Sequence, residues 1–313
     1  MLGKTAGGLF WMFRYLERSE NTSRLVDAGF RMALTRSDHA EEEWASIIDT
    51  ASARQAFLDA GGKFDGPSVI NFLLRDTSNP SSVISATEAA RNNARLVRTA
   101  LTREVWEAVN ESWITLKDVL ARPIRETDLP QTLSIIRNQS ALVRGATVGT
   151  MLRNDIYNFA RIGTFVERAD NIARILDVKY YVLLPSVTLV GSALDNVQWE
   201  TILRSASAER AFRWLYGGEV SPATIADFLI LDRRMPRSLL YCLRKIASNL
   251  GHLCTDYNIR APSLELALAQ RDRLEGLSIE QIIDSGLHEF LTGFIVDNNA
   301  LARQVEQDFR FNS

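Results

Sequence analysis

The sequence predicts an all-α protein: an internally duplicated helical bundle whose two copies are related by an approximate twofold axis and share one core. Three observations predict it. Apolar residues recur at helical spacing along nearly the whole chain, and no stretch alternates as a strand does. One stretch occurs twice, at 15–27 and again 150 residues later at 165–177. The segments carrying it are apolar over most of their helical circumference, which places them inside a bundle.

The repeated stretch reads aromatic, aliphatic, Glu, Arg, small, acid, Asn, any, small, Arg, aliphatic, aliphatic, Asp. The two copies are identical or chemically close at every step except Thr22 against Ile172. On a helix, Glu17, Asn21 and Arg24 fall on one face, and Glu167, Asn171 and Arg174 repeat that face. Glu17 and Arg18 are adjacent, as are Glu167 and Arg168, so each pair points about 100° apart and cannot close on itself. Each charge must find its partner elsewhere, and the other copy is the expected source.

The elements follow in order. A long helix over 7–36 carries the first copy of the stretch. A second covers 41–60, opening on the acidic turn Glu41-Glu42-Glu43 and ending before Gly61-Gly62. Pro67 opens a short helix to about Leu74. The turn 76–80 follows, and Ser81 or Ser82 caps the next helix, which carries Ala90, Ala94 and Val97. Another covers 103–121. From Leu129 to about Leu184 the pattern is helical, with Gly145 and Gly149 as the expected break. A looser segment at 185–197 precedes helices near 198–216, 222–231, 237–257, 262–275 and 278–309.

The duplication extends beyond the opening stretch. Trp44-x-x-Ile47-Ile48 recurs as Trp199-x-x-Ile202-Leu203, and Thr50-Ala51-Ser52-Ala53 as Ser205-Ala206-Ser207-Ala208, both 155 residues on. Asp76-x-x-x-Pro80-x-Ser82 recurs as Asp232-x-x-x-Pro236-x-Ser238, 156 residues on. Blocks in one order with a slowly drifting offset mark a tandem duplication, with an insertion near 185–197 in the second copy. Residues 1–150 form the first repeat and 151–313 the second, in one compact unit.

Composition bounds the function. The chain of 313 residues is 46% hydrophobic and 24% charged, with a net charge of −2. No basic surplus exists to neutralise a nucleic-acid backbone, so nucleic acid is not an expected partner. The longest apolar run, 180–194, is broken by Pro185, Ser186 and Thr188 and is too short to span a membrane. Residues 1–8 lack the apolar core of a signal peptide, and the cytoplasm is the expected location. Cys242 and Cys254 form no CxxC and read as reduced, structural thiols. His39, His252 and His288 are scattered, so no metal is expected. Gly3-Lys4-Thr5 lacks the spacing and preceding strand of a phosphate-binding loop, no nucleophile elbow occurs, and no cofactor is expected. Trp44, Trp106, Trp113, Trp199 and Trp214 read as core residues, because no basic residues interleave them as in a stacking platform.

The candidate site is the polar set Glu17, Arg18, Asn21, Arg24, Glu167, Arg168, Asn171 and Arg174, joined by Arg161. A carboxylate, an amide and a guanidinium on one face can hold an anionic or amino-acid-like group, with arginine gripping a carboxylate in two-point contact. A glutamate can serve as a general base when burial raises its pKa. The same residues fit a buried ion-pair network that locks the copies in register, the commoner use of such groups. Arg161 has no counterpart, since the first copy reads Phe10-Trp11-Met12-Phe13 where the second reads Ala160-Arg161-Ile162-Gly163.

The stretches 14–21 and 165–177, together with 149–153, Tyr181-Val182-Leu183-Leu184-Pro185, 205–208 and Pro236-Arg237-Ser238, resemble the alpha-E domain family, a bacterial all-helical group defined by a Glu-Arg motif. The resemblance covers nearly the whole chain. It implies a gene neighbourhood shared with a circularly permuted ATP-grasp ligase and a transglutaminase-like peptidase, sometimes with a proteasome-related peptidase, and a theme of ATP-dependent amide-bond synthesis and turnover. It supplies no catalytic residues. The sequence reading is therefore a non-catalytic or co-catalytic protein partner of such a ligase system. The alternatives are a stand-alone enzyme acting on an amino acid or peptide through the Glu/Asn/Arg clusters, and a helical scaffold.

Overall fold

The structure, a computed structural model, describes residues 1, 3–35, 37–182, 201–217 and 221–311. All regular structure among them is helical. Helix α1 (Gly3–Thr35) runs about 50 Å at 1.5 Å per residue. It is buried nearly all round, from Leu9, Phe10 and Met12 to Ser19, Asn21 and Val26. Helices α2 (Ala40–Thr50), α3 (Arg54–Asp59), α4 (Gly66–Leu74), α5 (Val83–Leu96) and α6 (Arg103–Val119) follow, then α7 (Leu129–Thr150) and the second long helix, α8 (Asp155–Val182). The remainder comprises helical residues 201–205 (α9), α10 (Glu209–Tyr216), α11 (Pro222–Ile230), α12 (Leu239–Tyr257), α13 (Pro262–Glu275), α14 (Ile279–Asp284) and α15 (Leu287–Asp308).

The two long helices organise the rest. α1 packs on α8 and also touches α2, α4, α5 and α7, while α8 packs on α12, α15 and α2. Ala6, Leu9 and Phe10 of α1 join Phe159, Ile162, Phe165 and Val166 of α8 in the largest apolar cluster, which extends into α12 and α15. A second cluster gathers Leu25 and Val26 with Trp44, Ile47, Phe57, Phe72 and Leu133. At the closest approach of α1 and α8, a Cβ added to Gly163 would stand 2.2 Å from the Phe10 carbonyl oxygen. Only glycine lets the two backbones meet there.

Side-chain caps fix about half of the helix starts among the described residues. Ser82 and Ser238 accept the backbone N–H three residues on, from Ser85 and Tyr241, so of the two serines at 81–82 it is Ser82 that caps α5. Asp65 caps α4 and Thr102 caps α6.

Several expectations need correction. Residues 41–60 form two helices, not one, because Ser52 adopts a left-handed φ of 53° and closes α2 through Ser52 N–H to Asp49 O (2.8 Å) and Ala53 N–H to Ile48 O (3.1 Å). Serine lacks glycine's freedom there, so the sequence gives no warning. Ser207, also at φ 53°, ends α9 in the same way and so divides the helix expected near 198–216 from α10. The break expected at Gly145 or Gly149 falls at 151–154, where Asn154 caps α8; α7 runs through both glycines because they are exposed and nothing opposes the helix. Residues 278–309 divide at Gly286, whose φ of 96° separates α14 from α15. Trp214 is 94% exposed, because Phe212 on the same helix faces the core and a residue two positions on points about 200° away. Trp106 and Trp113 are only half-buried, with Arg98 over the Trp106 ring (5.2 Å) and Arg91 and Lys117 over the Trp113 ring (6.0 and 5.8 Å), while Trp44 is buried as expected and Trp199 and the insertion at 185–197 lie outside the described residues.

Candidate functional site: a crossed glutamate–arginine core and the cavity beside it

Adjacent residues on a helix diverge, so Glu17 and Arg18 on α1 leave in different directions, as do Glu167 and Arg168 on α8. The two helices pack together, and the charges cross between them. Arg168 grips Glu17 with Nε to Oε1 at 2.7 Å and Nη2 to Oε2 at 2.9 Å. Reciprocally, Arg18 grips Glu167 with Nε to Oε1 at 2.6 Å and Nη2 to Oε2 at 3.0 Å. Both contacts are two-point, the strongest geometry available to this pair of groups. The glutamates are 4% and 7% exposed.

Further arginines surround the crossing. Arg14 donates Nε to Glu167 Oε2 at 2.9 Å. Arg237 donates Nη1 to Glu17 Oε1 (3.2 Å) and Asn21 Oδ1 (3.0 Å), and Nη2 to Glu20 Oε1 (2.9 Å). Glu20 also receives Arg24 one turn on, with Nη2 at 2.6 Å, and Arg144 from α7 at 2.7 Å. Arg24 and Arg174 each reach across to a left-handed serine: Arg24 bonds Ser207 Oγ, and Arg174 donates to Ser52 Oγ at 2.5 Å while holding Asp170 at 2.7 Å. Each of these left-handed turns thus presents a hydroxyl to a long helix, Ser207 to α1 and Ser52 to α8.

Of the sequence-predicted residues, the structure joins Glu17 to Arg168 and Glu167 to Arg18, and sets Asn21, Arg24, Asn171 and Arg174 along the same faces. Arg161 stands apart. Its guanidinium lies over the rings of Phe165 (4.5 Å) and Tyr157 (5.9 Å) and makes no ion pair among the described residues. It lines a separate small hollow of about 30 Å³ shared with Glu17, Glu20 and Arg144. Sequence reasoning missed Arg14, Glu20, Arg144, Asp170 and Arg237 as site members. Glu20 and Asp170 were visible as the acid of the repeated stretch, and Arg237 as the residue between Pro236 and Ser238. Arg144 carried no local signal.

Electrostatics decide what these acids can do. Burial pushes the Glu17 carboxyl up, but Arg168 and Arg237 outweigh it and hold the group at about 2. Burial likewise opposes ionisation of Glu167, and Arg18 and Arg14 overcome it, leaving the carboxyl below its ordinary value. Glu20 is also lowered: burial and Glu17 raise it, and Arg237, Arg144 and Arg24 prevail. Burial brings Arg237 down to about 10, still protonated at neutral pH. The Cys242 thiol is pushed by burial up to about 12 and stays protonated. A carboxylate at about 2, locked in two-point ion pairs, takes up protons poorly at neutral pH and makes a weak general base.

These shifts set the response to acid. The folded-state values of Glu17, Glu20 and Glu167 lie below the ordinary carboxylate value, so the folded state binds fewer protons than the unfolded chain at low pH. The stability these groups contribute is complete above about pH 4.5 and is lost as pH falls toward about 2. Thermal melts between pH 2 and 8 are expected to show a steep loss below about pH 4.5, and Glu17→Gln is expected to flatten that slope.

Beside the crossing lies an open cavity of about 840 Å³, mouth included, between α1, α8, the α2–α3 turn and the α4–α5 turn. Its wall includes Arg18, Asn21, Ser52, Ser81, Glu167, Asp170, Asn171 and Arg174. Most of the duplicated polar face therefore fronts one concave, polar surface.

The crossing joins two Glu-Arg steps in an all-helical chain, and a family profile described as a predicted alpha-helical domain with a conserved ER motif matches residues 1–309. The chain belongs to the Alpha-E family. Uncharacterised proteins of Mycobacterium bovis and Mycobacterium tuberculosis are 25% identical to this Alpha-E chain over 270 residues, covering 78% of it and 29% of the relative in each case. The Alpha-E chain thus spans under a third of the length of the curated relatives it matches. No solved structure matches it. Among its described residues no helix is long and apolar enough to cross a membrane, and no group of three or more His, Cys, Asp or Glu side chains could hold a metal ion.

Proposed function

We propose that this Alpha-E protein is a binding unit, non-catalytic by itself, that acts with an ATP-grasp-type ligase in amide-bond chemistry, together with or in place of a transglutaminase-like peptidase partner. One observation carries the non-catalytic part: the acids of the Glu-Arg motif are consumed as ion-pair anchors, and their lowered pKa values leave no base poised near neutral pH. The binding part is supported by the open polar cavity against those anchors. The ligase partner rests on the family resemblance and is an analogy of context. The length of the mycobacterial relatives fits it, because there the Alpha-E unit accompanies a larger amount of other sequence.

The two copies, 1–150 and 151–313, are read as halves of one compact unit about an approximate twofold axis. The reciprocal contacts support this: Arg18 with Glu167 against Arg168 with Glu17, and Arg24 with Ser207 against Arg174 with Ser52. The cytoplasm, where ATP is available, is the matching location.

The test is ATP turnover by the purified chain with amino acids or peptides, with and without a co-expressed ATP-grasp ligase. The chain alone is expected to be silent and the ligase to turn over faster in its presence. Turnover by the chain alone that disappears in Glu167→Gln, with melting intact, would establish the stand-alone enzyme instead.

A further inference from the structure

The two copies differ at one position in a way that bears on the cavity. Pro80-Ser81-Ser82 and Pro236-Arg237-Ser238 correspond at an offset of 156 residues, and both final serines are N-caps. The middle residue is serine in the first copy and arginine in the second. Arg237 spends its guanidinium on Glu17, Glu20 and Asn21. At an offset of 150 residues, the residues matching those three acceptors are Glu167, Asp170 and Asn171. All three line the open cavity, and so does Ser81. Where the second copy supplies a guanidinium of its own, the first leaves an empty volume faced by the matching acceptors.

The charge balance around the two sets is the same. Without Arg237, Glu17 and Glu20 face Arg24, Arg144 and Arg168. Glu167 and Asp170 face Arg14, Arg18 and Arg174. Two acids against three arginines accept a further guanidinium in the one case, as Arg237 demonstrates. The Asn171 side chain makes no hydrogen bond among the described residues, so its Oδ1 is available as Asn21 Oδ1 is for Arg237. A separate observation points to a ligand. Asn21 is 3% exposed and lines the same cavity, yet its Nδ2 has no hydrogen-bond partner among the described residues. The amide cannot be turned round to cure this, because Oδ1 is held by the Arg237 donor. A buried donor without an acceptor is destabilising, and an incoming carbonyl or carboxylate relieves that cost.

We infer that the cavity binds the guanidinium group of an arginine-bearing amino acid or peptide, seated on Glu167, Asp170 and Asn171 in the manner of Arg237 on Glu17, Glu20 and Asn21, with Asn21 Nδ2 donating to the ligand's own carbonyl or carboxylate. This names a ligand class for the binding unit proposed above and rests on that reading. The wall's donors and acceptors suit a molecule cationic at one end and accepting at the other. An inorganic anion would engage the donors alone.

Calorimetric titration of the purified chain tests it with L-arginine, arginylglycine, L-citrulline and inorganic phosphate. Arginine and arginylglycine are expected to bind saturably. Citrulline, which has the same shape with an uncharged head, is expected to bind at least about tenfold more weakly, since charge-assisted bonds are roughly twice as strong as neutral ones. Ser81→Arg, which supplies the missing side chain, is expected to abolish arginine binding while melting at or above the parent temperature. Asn171→Leu, at a half-buried position that anchors nothing, gives a second arm and is expected to weaken arginine about tenfold. Absence of saturable arginine binding overturns the inference, as do equal binding of citrulline, tighter binding of phosphate than of arginine, or binding undiminished in both variants. The titration uses the chain alone. Its failure leaves the ligase test standing, and a chain that binds arginine yet stimulates no ligase fails on the partner alone.

Discussion

Glu17→Ala is expected to destabilise the protein by roughly 3–5 kcal/mol, the cost of removing one member of a buried ion pair, and to lower its melting temperature by on the order of 10 °C. The effect is large because of what stays behind. Glu17 is the shared anion of Arg168 and Arg237, each under a tenth exposed. Without it, Arg168 retains only the Pro236 carbonyl at 3.2 Å and Arg237 retains Glu20 and Asn21. Two cations are then less compensated in a region already rich in arginine. Exposed pairs offer the contrast: Arg103 with Glu107 lies on the surface, and Glu107→Ala is expected to leave the melting temperature nearly unchanged. Chemical denaturation of the two variants beside the parent checks both statements.

The second large effect is expected at Gly163. Helix propensity alone favours Gly163→Ala by about 1 kcal/mol. The structure reverses the sign, because the new methyl would lie 2.2 Å from the Phe10 carbonyl oxygen, which belongs to backbone and cannot rotate away. The helices must separate, and the two-point contacts of Arg18 and Arg168 stretch with them. Gly163→Leu is expected to cost at least the upper end of the roughly 1–3 kcal/mol usual for overpacking, and Gly163→Ala a smaller part of it. Gly145→Ala is the control: nothing lies within 4 Å of the added methyl, so propensity governs and the variant is expected to gain up to about 1 kcal/mol. Thermal melts of the three substitutions decide between packing and propensity at each position.

Much of this was legible in the sequence, for identifiable reasons. Helical periodicity and apolar circumference located α1 and α8, and the adjacency of Glu17 and Arg18 already required partners from another helix. What remained hidden depends on contacts that no local spacing sets. Arg144 reaches Glu20 from α7 across more than a hundred residues, and Arg14 meets Glu167 although position 164 in the other copy is threonine. The left-handed turns at Ser52 and Ser207 escaped notice because serine there is not the residue that usually marks such a turn. The polar face was recognised as one set, yet its division into a filled half and an open half turns on Arg237 against Ser81, a difference that gains meaning only once Glu17, Glu20 and Asn21 are seen around the guanidinium. Arg161 stands out in the sequence as the residue with no counterpart in the first copy, but its place over Phe165 and Tyr157, in a hollow with Glu17 and Glu20, depends on contacts the sequence does not set.

On the proposed reading, the Glu-Arg motif locks α1 to α8 and performs no acid–base chemistry. A double-mutant cycle on Glu17 and Arg168, with Glu17→Gln, Arg168→Gln and the pair measured by denaturant unfolding, tests it most directly. A lock predicts strong coupling, about 2 kcal/mol or more, with the double variant far less damaged than the sum of the singles. Additive single effects near zero would contradict it and return these residues to the list of groups free to act on a substrate.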